Sequence, residues 1–476
     1  MSFWAGWAAW AVVVAGLTGY LYLALTGEDQ TLFLPGETTA GHYQIELLCT
    51  ACHGTNEDGT VGEVMQSACI DCHQEELDRI GDSHPIAKFA KSTDALMLAP
   101  FDQDFSSAMV KSAFCIACHV EHDPEVTRPM GVSEPESMCM ACHSDIGENR
   151  ETHTGLAFTT CLTAGCHNFH DNGALSESFL TKHMHDRNHK PEAEAVRPLR
   201  NYGEIYRAEQ ADYGTPVVAL TRADMDAPRN RTFDDSVIAE WESTAHARAG
   251  VNCTDCHNQE DEETGRIVWR DQVNYQSCQD CHKDEAHGFL KSRHGMRIDA
   301  GLDPMRPELA RLEMKASSHG KLMNCNACHG AHTYDTLHAA TNSCLECHDD
   351  EHSRNFVNST HHELWLDEIT GKAAAGTGVS CATCHLPRVP SDVAGDDRVY
   401  VKHNQNDYLR PNEKMVRSVC MSCHGVPFAL DALADEDLIL ANFDAPPKKP
   451  HFNPSSFDLI TQKLERLEAR GRRGDD

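Results

Sequence analysis

Cys253-Thr-Asp-Cys256-His257 opens a stretch in which one five-residue pattern returns as Cys278-Gln-Asp-Cys281-His282, Cys325-Asn-Ala-Cys328-His329 and Cys344-Leu-Glu-Cys347-His348. Two thiols three positions apart, with histidine directly after the second, can add to the two vinyl groups of one porphyrin and bring the adjacent imidazole to its iron. Working outward, the pattern recurs at Cys381, Cys384 and His385 and at Cys420, Cys423 and His424. Towards the amino terminus it recurs at Cys49, Cys52 and His53, at Cys69, Cys72 and His73, at Cys115, Cys118 and His119, and at Cys139, Cys142 and His143. A wider version, with four residues between the thiols, runs through Cys161, Cys166 and His167. The eleven motifs use all 22 cysteines, so eleven covalently attached haems c are expected, each with its motif histidine as proximal ligand. A zinc knuckle needs paired motifs and a dithiol redox site needs only one, and neither puts histidine after every second cysteine.

Aromatic residues are 7% of 476 and the mean hydropathy is −0.48, so aliphatic burial alone is thin for this length. The haems are expected to be the core. The predicted fold is mostly α with extensive irregular loops and little or no sheet, packed around porphyrins. One transmembrane helix is expected at the amino terminus: Phe3 to Leu25 carries no charge and has Trp4, Trp7, Trp10, Tyr20 and Tyr22 towards its ends. No Lys or Arg precedes this run, and it is longer than the apolar part of a secretory signal, although Ala24 and Gly27 would suit cleavage. Residues 1–27 are therefore read as an uncleaved anchor in the cytoplasmic membrane. Haem attachment outside the cytoplasm places the rest of the chain in the periplasm.

Motif spacing divides that remainder. Residues 28–190 hold five motifs and 234–430 hold six, separated by 191–233, where Pro191, Pro198, Pro216 and Pro228 suggest a linker or an irregular packing segment. In the tail, 431–476, Ser455 to Arg470 reads as a terminal helix from its Ser455/Asp458 capping pair and the shared face of Leu459, Ile460, Leu464 and Leu467.

Of 30 histidines, 11 follow motifs, leaving 19 for the distal side of the irons. His42 and His246 each lie seven residues before a motif, and His319 lies six before one. His122, His170 and His332 lie three residues after a proximal histidine. With His84, His153, His294, His361 and His403 these are the candidate distal ligands. His183, His185 and His189 fit a distal role, a second metal site or solvent exposure equally well. The net charge of −32 disfavours nucleic acid and anionic lipid, and favours a redox protein with a basic docking surface.

The His122, His170 and His332 spacing and the wide motif at Cys161 resemble cytochromes of the c3 type, in which a histidine at this offset binds a neighbouring haem. In the second half, Trp241-Glu-Ser-Thr-Ala-His246, Ser359-Thr-His361-His362-Glu-Leu-Trp365 and Gly378-Val-Ser-Cys381-Ala-Thr-Cys384-His385-Leu-Pro-Arg388 resemble the octahaem hydroxylamine oxidoreductase family and its c554-like relatives over residues 236–430. That resemblance implies a shared haem scaffold. It carries over no catalytic residue, since the chain has no lysine-terminated motif and no tyrosine identifiable as a haem cross-linker. Bis-histidine coordination leaves no position for substrate and favours electron transfer between a quinone-linked or membrane partner and another redox protein. The alternative is an oxidoreductase of the hydroxylamine oxidoreductase, nitrite reductase or tetrathionate reductase type with one open haem. Association of protomers into a homo-oligomer is compatible with either.

Overall fold

One turn of α-helix puts positions i, i+3 and i+4 on a common face, so a helical Cys-x-x-Cys-His pentapeptide projects both sulfurs and the imidazole the same way. Cys49–His53, Cys253–His257, Cys325–His329 and Cys381–His385 are each such a helix. Helices this short do not persist on propensity, and local groups hold them. Asn324 Oδ1 accepts from the Ala327 amide at 3.0 Å, Ser380 Oγ accepts from Thr383 at 3.2 Å, and Asn252 forms a capping box with Asp255. At the other end Gly330, at φ 71°, supplies the left-handed turn that lets the chain leave the motif.

The computed structural model describes residues 3–26, 31–54, 61–80, 115–117, 119, 121–122, 145–149, 170, 175, 177–212, 217–261, 263–391, 394–409, 413–433 and 435–448. The expected helix at 455–470 lies outside them, as do motif residues 118, 139–143 and 161–167. The chain divides into two compact units, residues 1–75 with 86–142 and residues 76–85 with 143–476.

About half the structure is helical, in short pieces, with little sheet. Phe3–Thr26 is the long exception. Its segment Gly6–Thr26 has a mean hydropathy of 1.8 and buries nothing against the rest of the chain, so it is long and apolar enough to cross a membrane. Among the described residues, sheet is limited to two antiparallel ribbons, Asn258–Glu260 with Ile267–Trp269 and Arg388–Pro390 with Val399–Val401. Each begins within three residues of a motif histidine, His257 or His385, and each returns a strand end to the neighbourhood of an imidazole.

The described parts of the proline-containing stretch, 191–212 and 217–233, belong to the second unit. Arg197 donates to the Gly378 carbonyl, Asn201 Nδ2 donates to the Asp397 carbonyl at 2.8 Å, and Tyr202 donates to the Cys281 carbonyl at 3.2 Å. Tyr202–Asp212 is itself helical. One cluster has an ordinary aliphatic core: Leu175, Leu180, Met415, Val416, Val426, Ala429, Leu430 and Leu433, beside the last motif.

Candidate haem sites

A metal–imidazole bond is about 2 Å and the ring centroid lies roughly 1 Å beyond its nitrogen, so two imidazoles trans on one metal have centroids about 6 Å apart. The described motif histidines meet that requirement repeatedly. In the first unit, His73 faces His42 at 5.9 Å and His53 faces His122 at 6.4 Å. In the second, His257 faces His332 at 6.0 Å, His282 faces His246 at 6.1 Å, and His329 faces His403 at 6.3 Å. His348 faces His294 at 6.3 Å, His385 faces His352 at 6.1 Å, and His424 faces His361 at 6.3 Å.

Two of the facing histidines reach their places by a left-handed backbone. His122 has φ 60° and His332 has φ 63°, so the chain reverses just after His119 and His329 and aims the ring at a different motif. Others are fixed through Nδ1, which leaves Nε2 to face inward. His122 donates to the Gly36 carbonyl at 2.9 Å, His257 to Arg270 at 2.7 Å and His403 to Val401 at 2.8 Å. The last two acceptors follow or end the ribbons, which explains why a ribbon accompanies each of these sites. His42 donates instead to the Glu121 carboxylate at 2.6 Å. His352 donates to the Ile439 carbonyl at 2.5 Å, and Asn442 Nδ2 stands 3.2 Å from its Nε2, a contact that iron would replace.

A ligand imidazole must be neutral, and burial makes it so. His246, His294, His329, His361 and His385 are pushed down to about 4, first by burial and then by the facing ring, His282, His348, His403, His424 and His352 respectively. Thiols of successive motifs also lie beside one another, Cys69 with Cys115, Cys278 with Cys325 and Cys344 with Cys381.

Haem c fits these residues. Among the described residues no three His, Cys, Asp or Glu side chains converge as a protein-only metal cage would require. Opposed imidazole pairs suit a metal whose equatorial ligands come from porphyrin. A cavity of about 260 Å³ beside the last two motifs is lined by Arg197, Arg388 and Arg417 together with Thr383 and Ser422. Arg197 Nε is buried there with no partner, a place for an acidic group such as a porphyrin propionate.

The candidates His42, His122, His246, His294, His332, His361 and His403 all stand opposite motif histidines. His319 does not: it is exposed, at the end of a 3₁₀ turn. The ring opposite His385 belongs instead to His352, which the spacing argument passed over. His352 lies four residues after His348, one position beyond the offset of His122 and His332, and an allowance for the extra residue would have reached it. His84 and His153 lie outside the described residues, and His170 is partly buried. His183 hydrogen-bonds Asp186 at 2.9 Å, and His189 packs on His424 and Phe428 at 4.8 and 4.9 Å.

Repeated motifs and opposed imidazoles on short helices define a multihaem c-type cytochrome, an electron-transfer protein. A family model described as cytochrome c3 matches residues 41–144 and again 245–349, so two similar stretches each begin just before a His seven residues ahead of a motif. No curated protein and no solved structure matches the chain.

Proposed function

We propose that the chain is a membrane-anchored cytochrome with one haem c on each of its eleven motifs, carrying electrons at the periplasmic face of the cytoplasmic membrane between a quinone-linked or membrane partner and another redox protein. The observation that carries this reading is the set of eight opposed imidazole pairs, which close both faces at every one of these sites and leave no side open to substrate. Haem c, when bound, supplies an Fe(III)/Fe(II) couple that takes up one electron with little change of geometry. The chain's own residues do the rest. Thiols fix the porphyrin edge, burial keeps the imidazoles neutral, and Nδ1 hydrogen bonds hold the rings. The neighbouring thiols of successive motifs would attach their haems close to one another. The helix Phe3–Thr26 serves as the anchor, and the charge of −32 favours a basic patch on the soluble partner.

The test is a mass and a spectrum on protein purified from membranes. Intact mass should show eleven haem additions, the oxidised EPR spectrum should be low-spin throughout, and hydroxylamine, nitrite and tetrathionate should give no steady turnover. A high-spin iron together with turnover of any of the three would overturn the reading in favour of a haem oxidoreductase.

A further inference from the structure

The two stretches matched by the same family allow one site to be compared with its counterpart. His42 and His246 each stand seven residues before a motif, and each faces the histidine of the motif after that, His73 and His282. Around His42 the partner is a carboxylate. Glu121 accepts from His42 Nδ1 at 2.6 Å, from the Thr39 amide at 2.7 Å and from the Thr39 hydroxyl at 3.0 Å. A carboxyl group that accepts at both oxygens is in its ionised form. Around His246 no such partner exists: its Nδ1 is buried without a hydrogen bond and the Tyr334 ring crosses it with centroids 4.6 Å apart, while a carboxylate, Glu285, stands 3.9 Å from the facing His282, beyond hydrogen-bond distance, and pairs with Arg200 at 3.7 Å.

The difference traces to one position. The third motif of the first stretch continues Cys118-His119-Val120-Glu121-His122, and that of the second continues Cys328-His329-Gly330-Ala331-His332. Where one carries a carboxylate, the other carries a methyl group. A carboxylate on Nδ1–H draws the proton away from the ring, makes Nε2 a stronger donor and sets a full negative charge near the metal, all of which favour Fe(III). A buried ring with its Nδ1–H unpaired has no such support and by comparison favours Fe(II), the Arg200 charge being offset by Glu285.

We propose that Glu121 makes the His42/His73 haem the more reducing of the two matched sites, and that Ala331 leaves the His246/His282 haem the better electron acceptor. This rests on reading both pairs as axial ligands. An electron passing between the two sites oxidises Fe(II) to Fe(III) at the first and reduces Fe(III) to Fe(II) at the second, with no proton or further reactant, and it comes to rest in the second unit. Glu121 is a positioning and charge-setting residue that acts through His42.

The experiment is a potentiometric titration of the full-length haem-loaded protein, followed by EPR and visible absorption, for the unmodified chain and for E121Q, E121A and A331E. One low-potential component should move up in E121Q and further in E121A, and one high-potential component should move down in A331E, with every iron still low-spin. Ala331 is exposed, so the added side chain has room, and E121Q keeps the shape of the native residue should E121A fail to fold. His42→Ala and His246→Ala, run in parallel, should each produce one high-spin iron. Unmoved potentials with those high-spin signals present overturn the role of Glu121 alone. Absence of the high-spin signals overturns the ligand reading and the proposal with it.

Discussion

Residues 245–349 and the region around the last motif bury their interiors in different ways. In the first, the buried apolar side chains are mostly small or flexible and scattered: Ala247, Ala286, Met305, Met323, Ala327 and Ala340. In the second, Val416 and Val426 are fully buried and Leu430 is 3% exposed, in a continuous aliphatic cluster joined by Phe179, Met184 and Phe443. The first interior is lined by imidazoles and short helices whose spacing makes sense only around a porphyrin. The second has a core of the ordinary kind, to which a haem is added. Multihaem chains are thus uneven in what holds them: where cofactors crowd, protein–protein burial is given up.

The largest effect that could break this comparison is loss of a haem from the first region. Cys325→Ala with Cys328→Ala removes both thioethers of one motif and, with them, the group around which His329 and His403 are placed. Hydrogen exchange should rise throughout 253–348, while the helix Val426–Leu433 keeps its protection. Equal loss of protection in both regions would mean that the aliphatic cluster has no independent stability and that the contrast is one of composition only.

Leu430→Ala approaches from the other side. Removing a large buried side chain from a packed cluster costs about 2–5 kcal/mol, so the midpoint of denaturant unfolding should fall for the last-motif region. Absorption of the remaining haems should be unchanged under native conditions. A cost below about 0.5 kcal/mol would show that the cluster is loosely packed and that the haem carries this region too.

Much of this was legible in the sequence, for a chemical reason. Cys-x-x-Cys-His has one dominant use when it consumes every cysteine, so cofactor type and helix-rich fold follow from spacing alone. The amino-terminal helix was legible as well, because 23 uncharged residues have few alternatives. The rings that face the motif histidines were only partly so. His42 and His246 could be found because a fixed offset before a motif is a local signal. His403, though named among the candidates, faces His329 across more than seventy residues of chain with no local signal to pair the two, and His352 faces His385 from a position whose only local mark, four residues after His348, falls one beyond the offset sought. The ribbons were missed for a similar reason: Asn258–Glu260 is neither alternating nor apolar, and it pairs because it must deliver Arg270 to His257. Within 236–430, where the sequence resembles octahaem enzymes, the family that matches is cytochrome c3, at 245–349.

The smallest effect concerns ring orientation, and it leaves coordination and stability untouched. His257 and His332 in the first region are nearly parallel, at 17°, as are His53 and His122 near the amino terminus at 16°, whereas His361 and His424 by the aliphatic cluster cross at 67°, and so do His246 and His282, at 86°, and His294 and His348, at 69°, in the first region. Parallel imidazoles push on one of the two iron π orbitals and separate them in energy; crossed imidazoles push on both and leave them close. The oxidised EPR spectrum should therefore contain an ordinary rhombic low-spin class from the parallel pairs and a highly anisotropic class from the crossed ones. Each orientation has a visible cause. His257 stacks on Trp269 at 4.5 Å and 8° while donating to Arg270, and His424 stacks on Phe428 at 4.8 Å and 17°. Trp269→Leu removes the stack and keeps the hydrogen bond, so it should broaden the rhombic class without adding a high-spin signal, and Phe428→Leu should disturb the anisotropic class alone. If both substitutions left the spectrum unchanged, the His257 and His424 rings would be held by the iron and porphyrin rather than by Trp269 and Phe428.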